Sequence, residues 1–567
     1  MEQVVHAAFI IELGTGGRLK PMRLAPGRLW AMAALSGVLQ VVPFPVAGPV
    51  PRWRATFCWI ALTPLLWALT RHGKNGEELT SGQSTALAYL CGFLWYLGNC
   101  YWIYQTMYLY GGLDKPVAAG ILILFCLYLG LYHALFGWIF GTIRSYFGTQ
   151  ITLFLSPFLW VAVELARARI TGLPWDLLGF SQIDNAALTR LAPITGAFGL
   201  SFVIALVNAL WLVRIEIRER RHTRLVLTTV GVLLIVGYVV GIRTIATPRR
   251  NRATATATLV QQNLEVGAAA KGPEPTAEEL LHSFTYLSRH PGDRMYLGTP
   301  ERKGTPMVRF ESTPDPRDSD LIVWPESPAP FQENDPQFRS AISDLARQAH
   351  AAVIVGNIAV DRTTSNARGY FLFNSASFIT PQGEFAGRYD KMHLVPFGEY
   401  VPFKSLFFFA QNLLHEAGTF DAGATRSLFA VNGHRYGTFI CYESIFADEI
   451  RQFVRQGADI LINISNDGWY GDTSAPWQHL NMVRMRAIEN HRWILRATNT
   501  GVTASIDPDG RVVAAAPRHV RTSIRVGFGY EHDITFYVAH GDWFAWICAG
   551  ATAAALGLSL RSRFAVN

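Results

Sequence analysis

Leu321-Ile-Val-Trp-Pro-Glu326 is a short apolar run that ends in a carboxylate, and two later segments have a similar form. Gly437-Thr-Phe-Ile-Cys-Tyr-Glu443 presents Cys441 after an apolar run, and Tyr389-Asp-Lys-Met-His-Leu-Val-Pro-Phe-Gly-Glu-Tyr-Val-Pro402 contains Lys391. Apolar runs of this length are consistent with buried strands. Because α/β folds usually assemble their sites at strand ends, the three reactive side chains are candidates for one shared site.

Short β-branched runs alternate with helical stretches through the polar part of the chain, which indicates an α/β layered domain. The predicted strands are Thr256–Gln261, Leu321–Trp324, Ala352–Val355, Phe373–Ile379, Tyr436–Cys441 and Ile460–Ile464. Helices are predicted between them, for example Asp335–His350 and Ile445–Gln456. Residues 267–318 are rich in Pro, Gly and charge, and we expect a mobile insertion or loop there.

The remainder of the chain is apolar enough to cross a membrane. Of the 567 residues, 50% are hydrophobic and only 16% are charged, whereas soluble proteins carry about 25% charged residues. A helical span needs roughly 20 apolar residues. We predict eight spans, at residues 28–48, 54–70, 84–108, 116–143, 151–169, 191–213, 225–246 and 543–560. The predicted domains are an N-terminal tail (1–27), a transmembrane domain of seven helices (28–246), an α/β domain (247–542) and a final transmembrane helix with its tail (543–567).

The distribution of charge argues against nucleic acid as a partner and predicts an orientation in the membrane. Of the 50 Lys and Arg residues, 19 precede Thr247 and two follow Asp542, whereas only 10 of the 42 acidic residues precede Thr247. The α/β domain is therefore slightly acidic and offers little to a phosphate backbone. Basic residues are concentrated in the loops after the second, fourth and sixth spans, which predicts cytoplasmic termini and an α/β domain outside the cytoplasm.

Cys441 is the one cysteine in the polar part of the chain, since the other five lie in apolar segments. A thiol between a strand end and a helix N-terminus, with Lys391 nearby, is expected to favour the thiolate. Glu326 could then serve as general base, and Lys391 could stabilise an oxyanion. The alternative is a structural set: a buried thiol, a helix-capping glutamate and a solvated lysine.

Histidines suggest a second interpretation, a Cys/His protease. His393 and His479 are the best placed, yet neither lies in a recognisable protease context, and a structural role is favoured for both. No group of Cys and His residues has the spacing of zinc ligands. We therefore predict no metal and no other cofactor.

The order of the three segments along the chain and their amino-acid sequences resemble the nitrilase superfamily, whose members use a Glu, Lys, Cys triad. Further blocks resemble the membrane-bound branch of that superfamily, the apolipoprotein N-acyltransferase family. The blocks are Trp324-Pro-Glu-Ser327, Lys391-Met-His-Leu-Val-Pro-Phe-Gly-Glu-Tyr-Val-Pro402, Cys441-Tyr-Glu443, Ser465-Asn-Asp-Gly-Trp-Tyr-Gly471 and Arg496-Ala-Thr-Asn-Thr-Gly501. In the membrane part, Glu164, Arg167, Leu173-Pro-Trp175 and Gly179-Phe-Ser-Gln182 resemble the fifth-span region of the family. The resemblance covers nearly everything from residue 28 onward, and the block around Lys391 is highly specific.

This resemblance implies a nitrilase-like α-β-β-α sandwich inserted between the seventh and eighth helices of an eight-helix transmembrane domain. It implies transfer of the sn-1 acyl chain of a phospholipid, through a cysteine thioester, to the N-terminal amine of a diacylglyceryl-cysteine on a lipoprotein. The implied partners are the phospholipid, the diacylglyceryl lipoprotein and the membrane. The implied location is the bacterial inner membrane, with the catalytic domain in the periplasm.

Carried over residue by residue, the resemblance makes Cys441 the nucleophile, Glu326 the general base and then acid, and Lys391 the oxyanion donor. Supporting roles are implied for Glu399, Glu443 and, through its backbone N–H, Tyr442. Trp469 matches an aromatic residue of a mobile loop and is a candidate for substrate binding. The family often has a Lys-Trp pair after the first strand, whereas here Lys271 is followed by Gly272.

A phenylalanine-rich segment directly follows the Lys391 block and contains Phe403, Phe407 and Phe408. Near a bilayer, exposed aromatic side chains would partition into the interface and guide acyl chains, which makes these three candidates for substrate binding. Packing into a protein core is the alternative.

Two rival functions remain beside the acyltransferase. A membrane-bound nitrilase-type amidase would use the same triad with water as acceptor, but eight spans exceed what a tether requires. A catalytically silent lipoprotein-binding or transport protein is disfavoured by the intact triad. We predict an acyltransferase that acts as a monomer.

Overall fold

The computed structural model describes residues 25–73, 76–216, 253–267, 275–294, 319–326, 331–366, 368–400 and 420–565. These residues form an α/β domain built on two mixed β-sheets and a set of apolar helices that pack together beside it. The predicted seventh span (225–246) and the candidate residues Phe403, Phe407 and Phe408 lie outside the described residues.

The α/β domain contains two sheets of six strands each within the described residues. The strands are β1 Ala255–Gln261, β2 Leu321–Val323, β3 Ala352–Arg362, β4 Tyr370–Ile379, β5 Phe385–Asp390, β6 Leu428–Val431, β7 His434–Ile440, β8 Ile460–Ser465, β9 Ile494–Thr498, β10 Ala504–Ile506, β11 Val512–Ala515 and β12 Thr522–Phe528. The first sheet has the order β12-β1-β2-β3-β4-β5, and the second has the order β11-β10-β9-β8-β7-β6. In each sheet three central strands are parallel and the flanking strands are antiparallel.

Nine α-helices of the described residues precede the first strand, and six lie between or after the strands. They are α1 Gly27–Val41, α2 Arg52–Ala55, α3 Cys58–Ala61, α4 Thr63–Thr70, α5 Ser81–Asn99, α6 Trp102–Gln105, α7 Lys115–Ala166, α8 Ala192–Thr195, α9 Ala197–Glu216, α10 Ala277–Arg289, α11 Pro336–Ala349, α12 Ala447–Arg455, α13 Ala475–Asn490, α14 Phe536–His540 and α15 Trp543–Ala565.

The two sheets pack face to face, and helices cover their outer faces. Leu259 and Ile354 of the first sheet share a core with Phe439 and Leu495 of the second. Helices α10 and α11 cover the other face of the first sheet, while α12 and α13 pack on the second. The central strands are buried on both faces, which explains why β2 is a continuous apolar run and why all six residues of β8 are buried. The nitrilase-like α/β layering expected from the sequence is therefore observed.

Local signals set the helix boundaries. Helix α11 starts at Asp335, whose carboxylate accepts hydrogen bonds from the backbone N–H groups of Gln337 and Phe338 at 2.8 and 2.9 Å. Pro336 occupies the first helical position, where its missing N–H costs nothing. The helix ends at His350 in the left-handed conformation, so the predicted span 335–350 is observed with its two caps included.

The expectation of an irregular insertion over residues 267–318 is wrong for residues 277–289, which form α10. A capping box starts this helix, because Thr276 and Glu279 each accept a hydrogen bond from the other's backbone N–H. Leu280, Phe284 and Leu287 then recur at helical spacing and are buried. The charged and polar residues of this stretch cover the outer face of an amphipathic helix.

Three helices of the described residues are long and apolar enough to cross a membrane: Lys115–Thr171, Ala197–Arg214 and Trp543–Arg561. Helix α7 contains a break at Gly148, where φ is +78°, so it consists of two helices as the predicted fourth and fifth spans require. The predicted second span is instead divided into the short helices α2, α3 and α4. The predicted third span divides near Cys100 into α5 and α6.

Candidate active site

Three strand ends bring the predicted triad residues to one edge of the sandwich. Glu326 lies three residues beyond β2, Lys391 directly follows β5, and Cys441 directly follows β7. Their exposed fractions are only 6%, 1% and 6%. A carboxylate, an ammonium group and a thiol are thus enclosed together, where electrostatic interactions are stronger than in water.

Lys391 is held by a pair of carboxylates. Its Nζ donates to Glu326 Oε1 and to Glu399 Oε1, at 3.0 Å in each case. Asn374 Nδ2 donates to the same two oxygen atoms at 2.7 Å, and the backbone N–H of Asn466 donates to Glu326 Oε2 at 2.8 Å. Burial alone would lower the pKa of Lys391, but the two carboxylates raise it well above its ordinary value. The ammonium group is therefore kept charged and oriented.

Cys441 is the strained residue of the site. Its φ is +51°, in the left-handed region that costs an L-residue other than Gly, Asn or Asp about 1–2 kcal/mol. The residue starts a short 3-10 turn, Cys441–Ile445, and α12 begins only at Ala447. A nucleophile on such a turn projects away from the strand that precedes it, and the surrounding contacts must hold the turn in place.

The expectation that Cys441 favours the thiolate is wrong for the resting site. Burial raises the pKa of the thiol, the Glu326 carboxylate raises it further, and Lys391 lowers it only in part. The effects of burial and of Glu326 on the pKa of the thiol are therefore larger than the opposite effect of Lys391, the cation on which the sequence prediction rested. Cys441 is therefore a neutral thiol at rest and needs a base to become a nucleophile.

Glu443 ties together the segments that carry the thiol and the ammonium group. Its Oε2 accepts the backbone N–H of Ile440 at the end of β7, at 2.7 Å. Its Oε1 accepts the backbone N–H of Met392 at 2.7 Å and the hydroxyl of Tyr389 at 2.8 Å, both beside the end of β5. Burial raises the pKa of Glu443, while these hydrogen bonds oppose that shift. Glu443 therefore fixes the spacing between two strand ends that belong to different sheets.

The other predicted supporting residues lie around this cluster. The second carboxylate oxygen of Glu399 accepts the backbone N–H of Val395 at 2.8 Å. Tyr442 is buried, and its hydroxyl reaches the carbonyl oxygen of Gly172 in the membrane part at 3.4 Å. Trp469 lies in the turn Asp467–Tyr470, and its ring packs so closely against Gly267 that a Cβ atom there would approach it to 2.9 Å.

The rings of His393 and His479 contact groups other than the Cys441 thiol. His479 Nε2 faces the backbone carbonyl of Cys441 and the hydroxyl of Ser444. His393 packs on Phe446 and lies 3.7 Å from Glu449. These contacts give neither histidine the position of a protease base.

Asn374 and the backbone N–H of Asn466 are the site groups that the sequence analysis missed. Asn374 follows the apolar run Phe371-Leu-Phe373 within β4 and is buried. A carboxamide within a buried strand needs hydrogen-bonding partners, and this was the available signal. Its two acceptors come from distant parts of the sequence, so the partners could not be read from the strand itself.

A cavity of about 1000 Å³ lies next to the triad, between the α/β domain and the membrane-side helices. Met392 and Tyr442, the immediate neighbours of Lys391 and Cys441, line it from the α/β domain. Leu177 and Phe180 line it from the loop that follows α7. The space is large enough for a lipid-sized ligand and is bounded by both parts of the molecule.

Within the described residues, one group of side chains has the composition of a metal site, namely His491, Glu531 and Asp533. Asp533 is 54% exposed and already contacts His491 at 2.8 Å and the guanidinium of Arg492 at 3.6 Å. A neighbouring guanidinium competes with a cation for the same carboxylate, so the group is explained as a surface ion pair.

Comparisons with known proteins assign both parts of the chain to families. Residues 36–210 match the apolipoprotein N-acyltransferase N-terminal domain, and residues 306–525 match the carbon-nitrogen hydrolase family. A curated apolipoprotein N-acyltransferase from Geobacter metallireducens is 34% identical over 559 residues, covering 96% of this chain and 98% of that protein. One from Methylococcus capsulatus is 34% identical over 480 residues, covering 82% of this chain and 87% of that protein. A solved structure of a mutant amidase from Nesterenkonia sp. AN1 aligns at 14% identity with a TM-score of 0.33, covering 51% of this chain and 96% of that chain.

Proposed function

The chain belongs to the apolipoprotein N-acyltransferase family and is an acyltransferase, and we propose that Cys441, Glu326 and Lys391 carry its reaction. The acyl donor is the sn-1 chain of a phospholipid. The acceptor is the N-terminal amine of a diacylglyceryl-cysteine on a lipoprotein. Both substrates reach the thiol through the cavity beside it, which membrane-side residues and α/β-domain residues line together.

The first half-reaction forms a thioester. Glu326 takes the proton of the Cys441 thiol, and the sulfur attacks the carbonyl carbon of the phospholipid ester. The negative charge that develops on the carbonyl oxygen is stabilised by the Lys391 ammonium group and by the backbone N–H of Tyr442. When the intermediate collapses, the C–O bond breaks, Glu326 returns the proton to the departing oxygen, and a lysophospholipid leaves.

The second half-reaction forms the amide. The amine of the lipoprotein attacks the thioester carbonyl, and Glu326 accepts one of its protons. The C–S bond then breaks, and the thiolate of Cys441 takes the proton back from Glu326. The enzyme returns to its starting state without any cofactor, and the acyl chain resides on nitrogen.

The observation that carries this proposal is the arrangement of three reactive groups at three strand ends that meet at one edge of the sandwich. A buried thiol needs a base, and the Glu326 side chain neighbours it and is held by three hydrogen bonds. The contacts of Lys391 with Glu326 and Glu399 hold its ammonium group in the same site. The base and the oxyanion donor that the proposed steps require are therefore both positioned beside the thiol.

We place the enzyme in the bacterial inner membrane, with the α/β domain in the periplasm. The three apolar helices found in the described residues support a membrane location, and the distribution of basic loop residues supports the orientation. In this arrangement the cavity faces the outer leaflet, which supplies phospholipid, and exported lipoproteins reach the site as well. A monomer contains all the proposed site residues.

The experiment is to incubate detergent-purified protein with phospholipid alone and to measure its intact mass. We expect one added fatty-acyl mass on Cys441, removable by neutral hydroxylamine and discharged by a later addition of a diacylated lipopeptide. Cys441→Ala should form neither acyl-enzyme nor product, whereas Cys548→Ala, which alters a buried cysteine of α15, should react like the wild type.

Three outcomes would contradict the proposal. Substantial turnover by Cys441→Ala would exclude the nucleophile. Acylation only in the presence of acceptor would require a ternary complex in place of the two half-reactions. Discharge of the acyl-enzyme mainly to water would favour the membrane-bound amidase.

A further inference from the structure

Gln478 and His479 are adjacent residues in the first two turns of α13, and they connect opposite sides of the molecule. Both side chains are completely buried. His479 contacts the turn that carries Cys441, whereas Gln478 contacts membrane-side residues. One helical segment therefore contacts the nucleophile on one side and the membrane part on the other.

His479 contacts the backbone of the nucleophile. Its Nε2 lies 3.0 Å from the carbonyl oxygen of Cys441 and 2.7 Å from Ser444 Oγ. A carbonyl oxygen can only accept, so the imidazole donates in the first contact. The same ring therefore engages the first and the fourth residue of the turn Cys441–Ile445.

A buried carboxylate–guanidinium pair holds the ring of His479 on the side opposite the Cys441 turn. Its Nδ1 lies 2.9 Å from Asp467 Oδ1, and Arg496 donates to Asp467 Oδ2 at 2.6 Å. Burial alone would raise the pKa of Asp467, but Arg496 and His479 lower it below its ordinary value. The carboxylate stays charged, and a buried charge with these partners resists reorientation of the ring.

Gln478 contacts the membrane side. The indole N–H of Trp175 donates to Gln478 Oε1 at 2.9 Å, and Gln478 Nε2 donates to the backbone carbonyl of Asn99 at 3.0 Å. Trp175 is held in turn by Arg167, which donates to its carbonyl oxygen at 2.8 Å. The ring of Trp175 also stacks on His479, with centroids 6.0 Å apart. Residues that end α5 and follow α7 are thus connected to the active-site helix.

The conformation of Cys441 explains why such support is needed. Its positive φ is unfavourable for a side chain with a Cβ atom, and conformations of this kind persist only when surrounding contacts hold them. A turn that relaxed would move both the sulfur and the neighbouring Tyr442 N–H. A displacement of about 1 Å at a reacting group lowers the rate by about 100-fold.

We propose that His479 is a positioning residue that holds the Cys441 turn in its reactive conformation, and that Trp175 and Gln478 connect this support to the membrane part. The inference rests on the proposed function in one respect: the step that His479 would accelerate is formation of the Cys441 acyl-enzyme. The membrane part then does more than anchor the enzyme, since Trp175 and its neighbours set the geometry of the nucleophile. His479 touches neither substrate nor the thiol in this role.

The test compares His479→Ala and His479→Gln with His532→Gln, a control that alters another His–Asp contact of 2.8 Å in the same domain. Acyl-enzyme formation is followed by intact mass at varied phospholipid concentration. For His479→Ala we expect kcat to fall about 100-fold with KM changed less than twofold. His479→Gln should recover at least tenfold, since its amide can donate to the Cys441 carbonyl. The control should stay within twofold of the wild type.

Alkylation of Cys441 by iodoacetamide provides a readout that does not depend on acyl transfer. His479→Ala should change the alkylation rate at least fivefold at a temperature where a thermal scan shows that the variant is folded. An unchanged kcat and alkylation rate in His479→Ala would overturn the proposal, as would a Gln variant no faster than the Ala variant. If the wild type is alkylated at Cys441 but never acylated by phospholipid, the proposed function fails while the positioning role is still decided by alkylation.

The membrane connection is tested by Trp175→Phe, which removes the indole N–H and keeps an aromatic ring. The matched control is Trp543→Phe, whose indole N–H donates to the carbonyl of Ile194 at 2.8 Å. We expect acyl-enzyme formation to slow about tenfold in Trp175→Phe and to stay within twofold in the control. Equal rates in the two variants would show that the membrane part does not position the nucleophile.

Discussion

Lys391 and its two carboxylates form a buried hydrogen-bonded cluster. Asn374 shares both carboxylate oxygen atoms with Lys391, so each of these two oxygens accepts from two donors. The Glu326 carboxylate also raises the pKa of the neighbouring Cys441 thiol. The proposed general base therefore helps to keep the thiol neutral at rest.

The raised pKa of Cys441 predicts its reactivity toward iodoacetamide as a function of pH. The thiol is neutral below its pKa and ionises only as pH rises through it, so the alkylation rate should increase from pH 7 to pH 9.5 without reaching a plateau. In Glu326→Gln the neighbouring carboxylate is removed, so the same rise should begin at lower pH. A plateau below pH 8 in the wild type would contradict a neutral resting thiol.

Acylation should respond to the Glu326→Gln substitution in the opposite direction. An amide cannot accept the thiol proton, so formation of acyl-enzyme from phospholipid should slow by a factor of about 100 to 10,000, the usual contribution of general base catalysis. Faster alkylation together with slower acylation would separate the electrostatic effect of Glu326 from its catalytic role. Acylation at the wild-type rate would exclude Glu326 as the base.

Lys391→Met should remove the oxyanion donor while keeping side-chain length. Loss of one such donor costs about 3 kcal/mol in comparable sites, which corresponds to roughly 100-fold in the acylation rate. The measurement is the single-turnover rate of acyl-enzyme formation, with the exposed Lys115→Met as control. Because Glu326 and Glu399 would lose their cation, the variant should also unfold at a lower temperature. A lower thermal midpoint without a slower reaction would limit Lys391 to a structural role.

At the scale of elements, α10 supports the segment that carries Glu326. The ring of Phe284 stacks on the ring of Trp324 with centroids 4.4 Å apart, and the Trp324 indole N–H donates to Ser288 Oγ at 2.8 Å. Trp324 lies two residues before Glu326 at the end of β2. The helix therefore supports the segment from which Glu326, the proposed general base, emerges.

Phe284→Ala should destabilise the α/β domain by about 3 kcal/mol or more, since a large buried ring leaves a cavity. Denaturant titration of the detergent-solubilised protein, followed by tryptophan fluorescence, measures the change. His282→Ala on the exposed face of the same helix should stay within about 0.5 kcal/mol. Equal effects of the two substitutions would mean that α10 does not support the sheet.

At the scale of the whole molecule, the membrane-side helices and the α/β domain share packed side chains. The core cluster of the helices also includes Tyr442, Tyr470 and Met485 of the α/β domain. Arg169, just beyond α7, forms ion pairs with Asp448 and Asp542 at 3.3 and 2.5 Å. The active site is therefore built at a junction, and the orientation of one part determines the orientation of the other.

The proposed orientation can be measured with alkaline phosphatase fusions. Alkaline phosphatase is active only outside the cytoplasm. A fusion of alkaline phosphatase after Phe528 in the α/β domain should therefore be active, whereas a fusion after Arg221 in the basic loop should be inactive. Expression of each fusion is checked by immunoblot. The reverse pattern would refute the periplasmic placement and with it the access of exported lipoproteins.

Much of the site was predictable because its signals are local. Strand ends after apolar runs identified Glu326, Lys391 and Cys441, and the structure places all three at one edge. The charge-rich stretch before Asp318 does not look helical by composition, because composition hides a helical period when the polar face of a helix is wide. The capping residues Thr276 and Glu279 were the local signal for α10 that could have been recognised.

The sequence by itself determined the layered α/β fold, the apolar helices and the identity of the candidate triad, because periodicity and strand-end chemistry depend on neighbours along the chain. Tertiary structure alone decided the protonation of Cys441, the bridge made by Asn374 and the connection from Trp175 to His479. These properties depend on burial and on groups that converge from distant segments. Desolvation and the charge of groups distant in sequence cannot be read from the linear order of residues. The sequence therefore predicted a thiolate at Cys441, whereas burial and Glu326 keep the thiol neutral.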